Sequence, residues 1–415
     1  MNRKRVVITG LGAVTCLGSS VEQLWDGLIN GRSGIRRITQ FDPSELPCQI
    51  GGEIPDFEPD KFLDRKEGRR LPRSTQISLA SAVQAVEDAG LPDTMPNPER
   101  AGVVFGTAMG GTDALIDGLD EFREKGYQRV KPFVLPSGIP NLPGFAIAKR
   151  FQCVGYNSTI VTACATGTQT IGEGTEVIRR GSADILIVGG TEALMKDYSL
   201  AGFAVMRALP NNFNDEPERA SRPFDAKREG FVFSEGAAAM VLESLDHALE
   251  RGASIYAEVI GQASTSDAYH IAAPHPDGLG AIRTMKWALE DAHIHPEEID
   301  YINPHGSSTP LNDCMETKAI KEVFGSHAYK VAISSTKSML GHAMGASGTI
   351  EAIACILAIR NGIIPPTINY EFPDPECDLD YVPNTARKHT VNTTLSNSFG
   401  LGGQNACLVI KRYQE

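Results

Sequence analysis

Short apolar runs rich in valine and isoleucine alternate along this chain with stretches of helical periodicity. Residues 5–8, 102–105 and 183–188 read as buried strands, each closed by glycine, and residues 75–90 and 167–181 read as amphipathic helices. Strands and helices that alternate in this way form layered folds in which helices cover the faces of a sheet. The pattern therefore predicts an α/β fold.

The same order of features occurs twice in the sequence. Residues 162–181 and residues 336–362 each contain a turn of small residues, an apolar-periodic helix and an Ile-Arg-X-Gly end. Two such units would place equivalent helix starts side by side across a pseudo-twofold axis. The repeat predicts duplicated halves at 1–252 and 253–415, with residues 236–251 as the last strand and helix of the first half. Coincidental similarity of two strand-turn-helix units is the alternative.

Composition excludes several classes of protein. The 415 residues with 41% hydrophobic content can bury a large core, and a net charge of −12 argues against binding to nucleic acid. No run approaches the roughly 18 apolar residues of a membrane span, and the short apolar run after the N-terminal basic residues reads as a strand. Eight scattered cysteines without a CxxC pair disfavour disulfides and structural zinc and suit a reducing cytosol. The polar stretch 211–230 reads as a surface or lid loop.

One segment carries a local excess of four positive charges. It holds Lys61, Arg65, Lys66, Arg69, Arg70 and Arg73 against only Asp64 and Glu67. A solvated helix face explains such a segment, and so does a docking surface for an acidic partner. The sequence alone leaves both readings open.

Cys164 is a candidate nucleophile. It lies in Thr-Ala-Cys-Ala-Thr-Gly-Thr, where an apolar run ends and a helical pattern begins at about Thr168. The partial positive charge and free N–H groups of a helix N-terminus stabilise a thiolate, so this position predicts a lowered pKa for Cys164. A small buried cysteine that serves only packing is the alternative.

Two histidines stand in glycine-rich turns after strand-like runs, His305 in Asn-Pro-His-Gly-Ser and His342 in Leu-Gly-His-Ala-Met-Gly. A thiol with two imidazoles suits thioester chemistry. The thiolate accepts an acyl group, and imidazole N–H groups stabilise the enolate that forms when a second thioester loses CO2. A papain-like cysteine signature, a GxSxG elbow and a complete dinucleotide fingerprint are absent from the sequence, and HExxH spacing does not occur. No metal site is therefore expected.

Six collinear motifs between residues 4 and 412 resemble the β-ketoacyl-[acyl-carrier-protein] synthases, in particular the elongating enzymes of the synthase II kind. They are residues 7–12, the Cys164 turn, residues 221–232, the His305 turn, residues 335–342 and residues 396–400. The resemblance implies a thiolase-like fold of duplicated halves in a five-layer αβαβα sandwich, with acyl-pocket and dimer regions inserted in the first half. It also implies a cytoplasmic homodimer without a cofactor, whose substrates arrive on the phosphopantetheine of acyl carrier protein.

The implied reaction is decarboxylative Claisen condensation of an acyl group on Cys164 with malonyl carrier. A dedicated ketosynthase of a specialised lipid or polyketide pathway is the alternative. A non-catalytic chain-length partner subunit is disfavoured because such subunits lack the cysteine, and a thiolase would carry one histidine and a second cysteine.

The resemblance assigns roles residue by residue. It implies that His305 and His342 serve decarboxylation and condensation, that Lys337 sets their electrostatics, and that the backbone N–H groups of Cys164 and Leu401 form an oxyanion hole. The supporting residues that it implies are Glu351, Asp313, Glu316, Phe231 and Phe399, and the implied substrate-binding residues are Ser307, Thr309, Met109 and Leu401. The implied carrier-docking residues are Lys66, Arg69, Arg70, Arg129, Lys131 and Arg207.

Several positions around the site depart from the family pattern, among them Pro304 and Ser307, which stand where alanine and threonine are commoner around His305. Leu401 stands where the family usually has phenylalanine, and Met109 stands where a branched residue limits the acyl pocket. A smaller gate and a flexible thioether predict an acyl range that differs from that of a housekeeping enzyme.

Overall fold

The computed structural model describes residues 3–414, and most strands of this range join one ten-stranded sheet. The first part of the chain contains β1 (Val6–Thr15), α1 (Val21–Ile29), β2 (Arg36–Arg37), β3 (Ile50–Gly51), α2 (Arg65–Gly68), α3 (Arg73–Asp88), β4 (Ala101–Thr107), α4 (Thr112–Lys125), α5 (Val134–Gly138), α6 (Leu142–Phe151), β5 (Asn157–Ser158), α7 (Thr166–Arg179), β6 (Ile185–Glu192), α8 (Asp197–Val205), β7 (Gly236–Ser244) and α9 (Leu245–Glu250). The second part contains β8 (Ala257–Ser266), α10 (Leu279–Ala292), β9 (Tyr301–Asn303), α11 (Pro310–Phe324), β10 (Ala332–Ile333), α12 (Lys337–Leu340), α13 (Ser347–Asn361), β11 (Ile363–Ile364), β12 (Arg387–Lys388), β13 (Thr393–Gly400) and β14 (Gln404–Lys411).

The ten strands repeat one topology twice. Strands β1, β7, β6, β4 and β5 are neighbours in that order, and β8, β14, β13, β9 and β10 follow the same order of first, fifth, fourth, second and third. In each set the first two pairings are antiparallel and the last two are parallel. Strands β1 and β8 connect the sets through two residue pairs. The predicted duplication is confirmed, while the division at residue 252 stays a prediction.

Helices and strands stack in five layers, as the resemblance implies. Helices α3 and α6 pack on the first strand set, and α10 and α11 pack on the second. Helices α7 and α13 lie between the two sets and contact strands of both. The central layer therefore brings the start of α7 from the first half beside the start of α13 from the second half.

The sequences of α7 and α13 fit this central position. Every residue of α13 from Ser347 to Ile359 is buried, as expected of a helix that other elements enclose on all sides. The two helices also approach too closely for side chains at two reciprocal positions. A Cβ at Gly167 would lie 2.7 Å from the backbone nitrogen of Thr349, and one at Gly348 would lie 2.1 Å from Oγ1 of Thr168.

The predicted strands are longer than expected because glycine does not close them. Strand β1 continues through Gly10 and Gly12 to Thr15. A Cβ at Gly10 would lie 2.0 Å from the Ala85 carbonyl oxygen, and one at Gly12 would lie 1.9 Å from the Ser81 oxygen. Because these glycines have no side chain, α3 can pack directly against the strand. They are therefore required for packing and do not mark a turn.

The 211–230 region is only partly a surface loop. Residues 220–225 are buried, and the Arg222 side chain is 1% exposed. Its Nε donates to Asp225 at 2.9 Å, and its guanidinium lies over the rings of Phe213 and Phe372. The reading as a loop open to solvent is wrong here because buried ion pairing and ring stacking hold the arginine inside.

Candidate active site

Cys164 lies in a short 3-10 turn, Ala163–Ala165, immediately before α7. The turn is unusual because Ala163 has a positive φ of 49°, a conformation that non-glycine residues rarely adopt. Oγ1 of Thr166 accepts the Thr162 N–H at 2.9 Å and holds the entry to the turn. The sequence prediction of a thiol between a strand and a helix is therefore correct in position, and the Cys164 side chain is buried.

The prediction of a lowered pKa for Cys164 is wrong. Burial raises the pKa of the thiol to about 11, although the Leu401 backbone N–H and the positive charge of Lys337 act in the opposite direction. Desolvation of the thiolate outweighs these two contributions. The cysteine therefore carries its proton at neutral pH in the free protein.

His305 is positioned through its backbone. It follows β9, and the Glu316 carboxylate from α11 accepts the His305 N–H and the Gly306 N–H, each at 2.8 Å. The side-chain amides of Asn312 and Asn397 donate to the same carboxylate at 3.3 Å. Burial raises the pKa of Glu316 to about 7. The structure thus places Glu316 as the anchor of the His305 turn.

His342 is positioned through its ring. It follows α12, and Nδ1 lies 2.9 Å from Oγ of Ser347, the first residue of α13. When the Ser347 hydroxyl donates to Nδ1, the imidazole proton resides on Nε2. Nε2 is buried and has no hydrogen-bond partner among the described residues. The Nε2–H group of His342 is therefore a buried hydrogen-bond donor with no acceptor among the described residues.

The two imidazoles stand edge to face with ring centroids 5.3 Å apart, and each also contacts a phenyl ring. Phe231 lies 5.5 Å from His342, and Phe399 lies 5.9 Å from His305. Burial lowers the pKa of both histidines well below the usual value, and the charge of Lys337 lowers both further. Both rings are therefore neutral at physiological pH.

Lys337 and Glu351 form a buried ion pair behind the histidines, with each side chain 2% exposed. Burial raises the pKa of Glu351 to about 7 while Lys337 opposes the shift. The second carboxylate oxygen of Glu351 has no partner within residues 3–414. The pair fixes a positive charge close to both imidazoles without exposing it to solvent.

One cavity of about 410 Å³ joins the predicted residues. Its walls include Cys164, His305, His342, Phe231, Phe399, Leu401, Ser307, Thr309 and Arg207. The hydroxyls of Ser307 and Thr309 lie 2.9 Å apart. The backbone N–H groups of Leu401 and Cys164 lie near the sulfur and lower the pKa of the thiol. Donors for a developing oxyanion and neutral imidazoles therefore surround a single thiol.

Other predicted residues lie away from this cavity. Met109 packs in the apolar cluster that contains Cys164, rather than on the cavity wall. Asp313 accepts the Phe224 N–H at 2.9 Å and pairs with Arg228, so it acts outside the cavity. Lys66, Arg69 and Arg70 border a separate surface depression, and Arg129 and Lys131 are exposed between α4 and α5. Of the predicted docking residues, Arg207 lines the cavity.

The sequence analysis missed Ser347 and Glu192. Ser347 follows His342 by five residues at a helix start, a spacing that a search for ring partners would have found. Glu192 ends β6, is fully buried, and accepts the Ala108 N–H at 2.9 Å and the Gly345 N–H at 3.3 Å through one oxygen. It ties the Met109 segment to the turn after His342. Burial raises the pKa of Glu192 to about 7.

Residues that could hold a metal lie outside the cavity. In the part of the chain that the structure describes, one cluster of three ligating side chains occurs, formed by Cys314, Asp374 and Cys377. Within residues 3–414 no helix combines the length and the apolar character needed to cross a bilayer.

Comparison with known proteins identifies close relatives. The family model for the β-ketoacyl synthase N-terminal domain matches residues 3–248, and that for the C-terminal domain matches residues 256–371. The chain is 49% identical to 3-oxoacyl-[acyl-carrier-protein] synthase 2 of Synechocystis sp., with 100% of this chain and 99% of the relative covered. It is 47% identical to the protein of the same name from Coxiella burnetii, with 99% of each covered.

Solved structures of ketosynthases are also similar to this chain. A ketosynthase in complex with a type II PKS acyl-carrier protein superposes with a TM-score of 0.92 at 34% identity, covering 99% of this chain and 100% of that one. The ishigamide ketosynthase/chain length factor superposes with a TM-score of 0.91 at 38% identity and the same coverage.

Proposed function

The chain belongs to the β-ketoacyl synthase family, and we propose that Cys164, His305 and His342 carry its condensation chemistry in the cavity they share. As a member of this family it is a condensing acyltransferase of the 3-oxoacyl-[acyl-carrier-protein] synthase 2 type, which elongates fatty acids. The observation that carries the residue assignment is the convergence of one thiol, two neutral imidazoles and two backbone donors on one cavity.

The first step transfers the acyl group. The Cys164 sulfur attacks the thioester carbonyl of acyl carrier, and the carrier thiol leaves with the proton that Cys164 releases. The N–H groups of Cys164 and Leu401 stabilise the oxyanion that forms during this exchange. Because the Cys164 thiol is protonated when free, its proton is released during this exchange and is taken up by the departing carrier thiolate.

The second step makes the carbon nucleophile. Malonyl carrier binds with its thioester oxygen near one N–H of each imidazole, and loss of CO2 places negative charge on that oxygen. Two neutral N–H donors in a desolvated site stabilise an enolate better than one. The resulting carbanion attacks the acyl group on Cys164, and the Cys164 thiolate leaves as the carbon–carbon bond forms.

The departures from the family pattern at Leu401 and Met109 bear on which acyl group is accepted. Leu401 lines the cavity with its backbone N–H near the sulfur, while Met109 packs against the apolar cluster that contains Cys164. We expect the smaller Leu401 and the flexible Met109 to admit longer or branched chains. A dedicated role in a specialised lipid or polyketide pathway is the second candidate function. Acylation of the protein with a panel of acyl carriers of different chain length separates the two candidate functions.

Acyl carrier protein is the proposed partner and delivers both substrates on phosphopantetheine, so the enzyme needs no bound cofactor. Lys66, Arg69 and Arg70 are exposed around one depression, and Arg207 lies at the cavity. An acidic carrier would be attracted to such a surface even though the whole chain carries a charge of −12. The eight cysteines are free thiols, which supports our placement of the enzyme in the cytoplasm.

A homodimer is the proposed assembly. Helices α4 to α6 and their connections expose large apolar side chains, including Phe122, Tyr127, Phe133, Leu135 and Phe145, each more than half exposed. Large apolar side chains exposed in one segment of the chain favour an interface there. Phe133→Asp with Phe145→Asp should reduce the mass in solution to that of a monomer by light scattering, whereas Tyr329→Asp, which is equally exposed elsewhere, should not. An unchanged mass would contradict the dimer surface.

The residue assignment is tested by acylation. Purified protein is incubated with acyl carriers of increasing chain length, and the acyl group on Cys164 is followed by intact mass and peptide mapping. We expect one acyl group per chain in the wild type and none in Cys164→Ala. Failure of every carrier to acylate the wild type would contradict the assignment.

Carrier docking is tested separately. Arg69→Glu with Arg70→Glu should raise KM for acyl carrier with little change in kcat, because docking rather than chemistry is lost. Arg283→Glu with Lys286→Glu is the matched control, since both side chains are exposed on α10 away from the depression. Equal effects of the two double variants would contradict a specific docking surface.

A further inference from the structure

Two cysteines lie close together outside the active site. Cys314 lies on α11 and Cys377 lies in the connection between β11 and β12, 63 residues later, yet their sulfur atoms are 4.0 Å apart. We propose that Cys314 and Cys377 are a redox-active dithiol that closes to a disulfide when a peroxide oxidises Cys314 and reopens when a thiol reduces it.

Exposure distinguishes the two sulfurs. Cys314 lines an open surface depression of about 600 Å³ together with Arg228, Leu311 and Lys318, whereas Cys377 is buried. A small oxidant dissolved in water therefore reaches Cys314 first. Cys377 is protected from solvent, but its sulfur lies 4.0 Å from the sulfur of Cys314. This is the arrangement of an attacking thiol with its resolving partner.

Arg228 polarises the partly exposed sulfur of Cys314. Its Nη2 donates to Cys314 Sγ at 3.0 Å, and its guanidinium is held in place by Asp374 at 2.7 Å and by the Asp225 carbonyl at 2.8 Å. A fixed positive charge beside a thiol favours the thiolate that reacts with peroxide. Partial burial acts the other way and raises the pKa of Cys314, so the reaction should accelerate as the pH rises.

The proposed chemistry balances without a further component. The Cys314 thiolate attacks one peroxide oxygen, the O–O bond breaks, and the departing hydroxide takes a proton to become water. The product is a sulfenic acid on Cys314. The Cys377 sulfur then attacks the Cys314 sulfur, the S–O bond breaks, and the departing hydroxide takes the Cys377 proton. Two thiols are oxidised and one peroxide is reduced to two molecules of water.

A metal ion is the competing occupant of this cluster. An oxygen of Asp374 and the two sulfurs all lie within 4.8 Å of one another. Arg228, however, donates hydrogen bonds to both Cys314 and Asp374. A divalent cation bound to these residues would therefore lie next to the positive charge of Arg228. Repulsion between guanidinium and cation favours the dithiol over the metal site.

The test uses the full chain, reduced and then treated with limiting hydrogen peroxide at several pH values. Free thiols are blocked, and the protein is analysed by intact mass and non-reducing peptide mapping. We expect loss of two hydrogen atoms, a peptide pair linked through Cys314 and Cys377, and complete reversal by dithiothreitol. Running the same series on Cys164→Ala removes the contribution of the active-site thiol.

Variants separate the roles of the two sulfurs. Cys314→Ser should abolish the linked pair, and Cys377→Ser should trap a sulfenic acid on Cys314 that a dimedone probe labels. Cys153→Ser, another buried cysteine, should leave the linkage intact, and melting curves check that each variant is folded. Oxidation of Cys314 to the sulfenic or sulfinic acid in the wild type, with Cys377 still free, would overturn the proposal. Stoichiometric zinc binding that depends on both cysteines and prevents the linkage would overturn it as well.

Discussion

Replacing Lys337 by methionine removes the charge of the buried ion pair and keeps most of its volume. Both partners are 2% exposed, and loss of one partner of such a pair costs about 3–5 kcal/mol because the other is left buried and unpaired. A chain of 415 residues unfolds with an entropy of about 0.9 kcal/mol per kelvin. Lys337→Met should therefore lower the melting temperature by about 3–6 °C.

The double variant Lys337→Met with Glu351→Leu separates stability from chemistry. An apolar pair of similar volume is commonly as stable as a buried ion pair, so the melting temperature should return close to that of the wild type. The double variant still lacks the positive charge that lowers the pKa of His305 and His342. Both histidines then gain a proton at a higher pH, and malonyl decarboxylation should fall off earlier as the pH is lowered.

Calorimetry and CO2 release over a pH series measure the two effects on the same samples. Lys321→Met is the control, because its ion pair with Asp378 is partly exposed and should contribute no more than about 1 kcal/mol. An acidic limb of the double variant that coincides with that of the wild type would refute the electrostatic role of Lys337. A double variant as unstable as the single variant would refute the account of the ion pair.

Three further outcomes are expected. Ser347→Ala leaves Nδ1 of His342 buried without its partner and should lower malonyl decarboxylation by roughly 5- to 150-fold, measured as CO2 release; an equal loss in acylation of Cys164 would contradict a role confined to His342. Because burial raises the pKa of Glu192 to about 7 from 4.5, the folded protein loses stability as the pH rises from about 4.5 through about 7. Glu192→Gln should therefore gain roughly 1 to 3 kcal/mol relative to the wild type between about pH 5 and pH 8 in urea denaturation, and a constant difference would contradict this. Gly10→Ala should cost about 1–3 kcal/mol or more through contact with α3, whereas Gly202→Ala, in open space on α8, should be neutral or stabilising by thermal denaturation.

Periodicity and glycine placement predict much of this fold. The strands at residues 102–105 and 183–188 and the helices at 75–90 and 167–181 are confirmed with small changes in their ends. The carboxyl-terminal end of β1 was predicted wrongly, because a glycine in a turn and a glycine that packs beneath a helix cannot be distinguished in one sequence. The difference lies in the Ala85 carbonyl, which tertiary packing alone brings to Gly10.

The composition of the site was predictable, but its electrostatics were not. The order of the motifs along the chain predicts Cys164, His305 and His342 as the residues of the site, and all three line one cavity in the structure. The direction of the pKa shift of Cys164 depends on how much water the fold excludes, and local sequence does not determine that. The proximity of Cys314 and Cys377 is likewise set by the path of the chain between β11 and β12, which no motif describes.

The reciprocal glycine contact between α7 and α13 has a consequence for how the enzyme can be divided. Gly167 and Gly348 let the two backbones touch, so the spacing between the thiol of one half and the imidazoles of the other is fixed by main-chain contact and cannot be tuned by exchanging side chains. Each half also leaves its central helix uncovered when the other is removed. Each half of the chain therefore requires the other. Fragments that are divided between the two halves should recover activity only when they re-form the contact between α7 and α13.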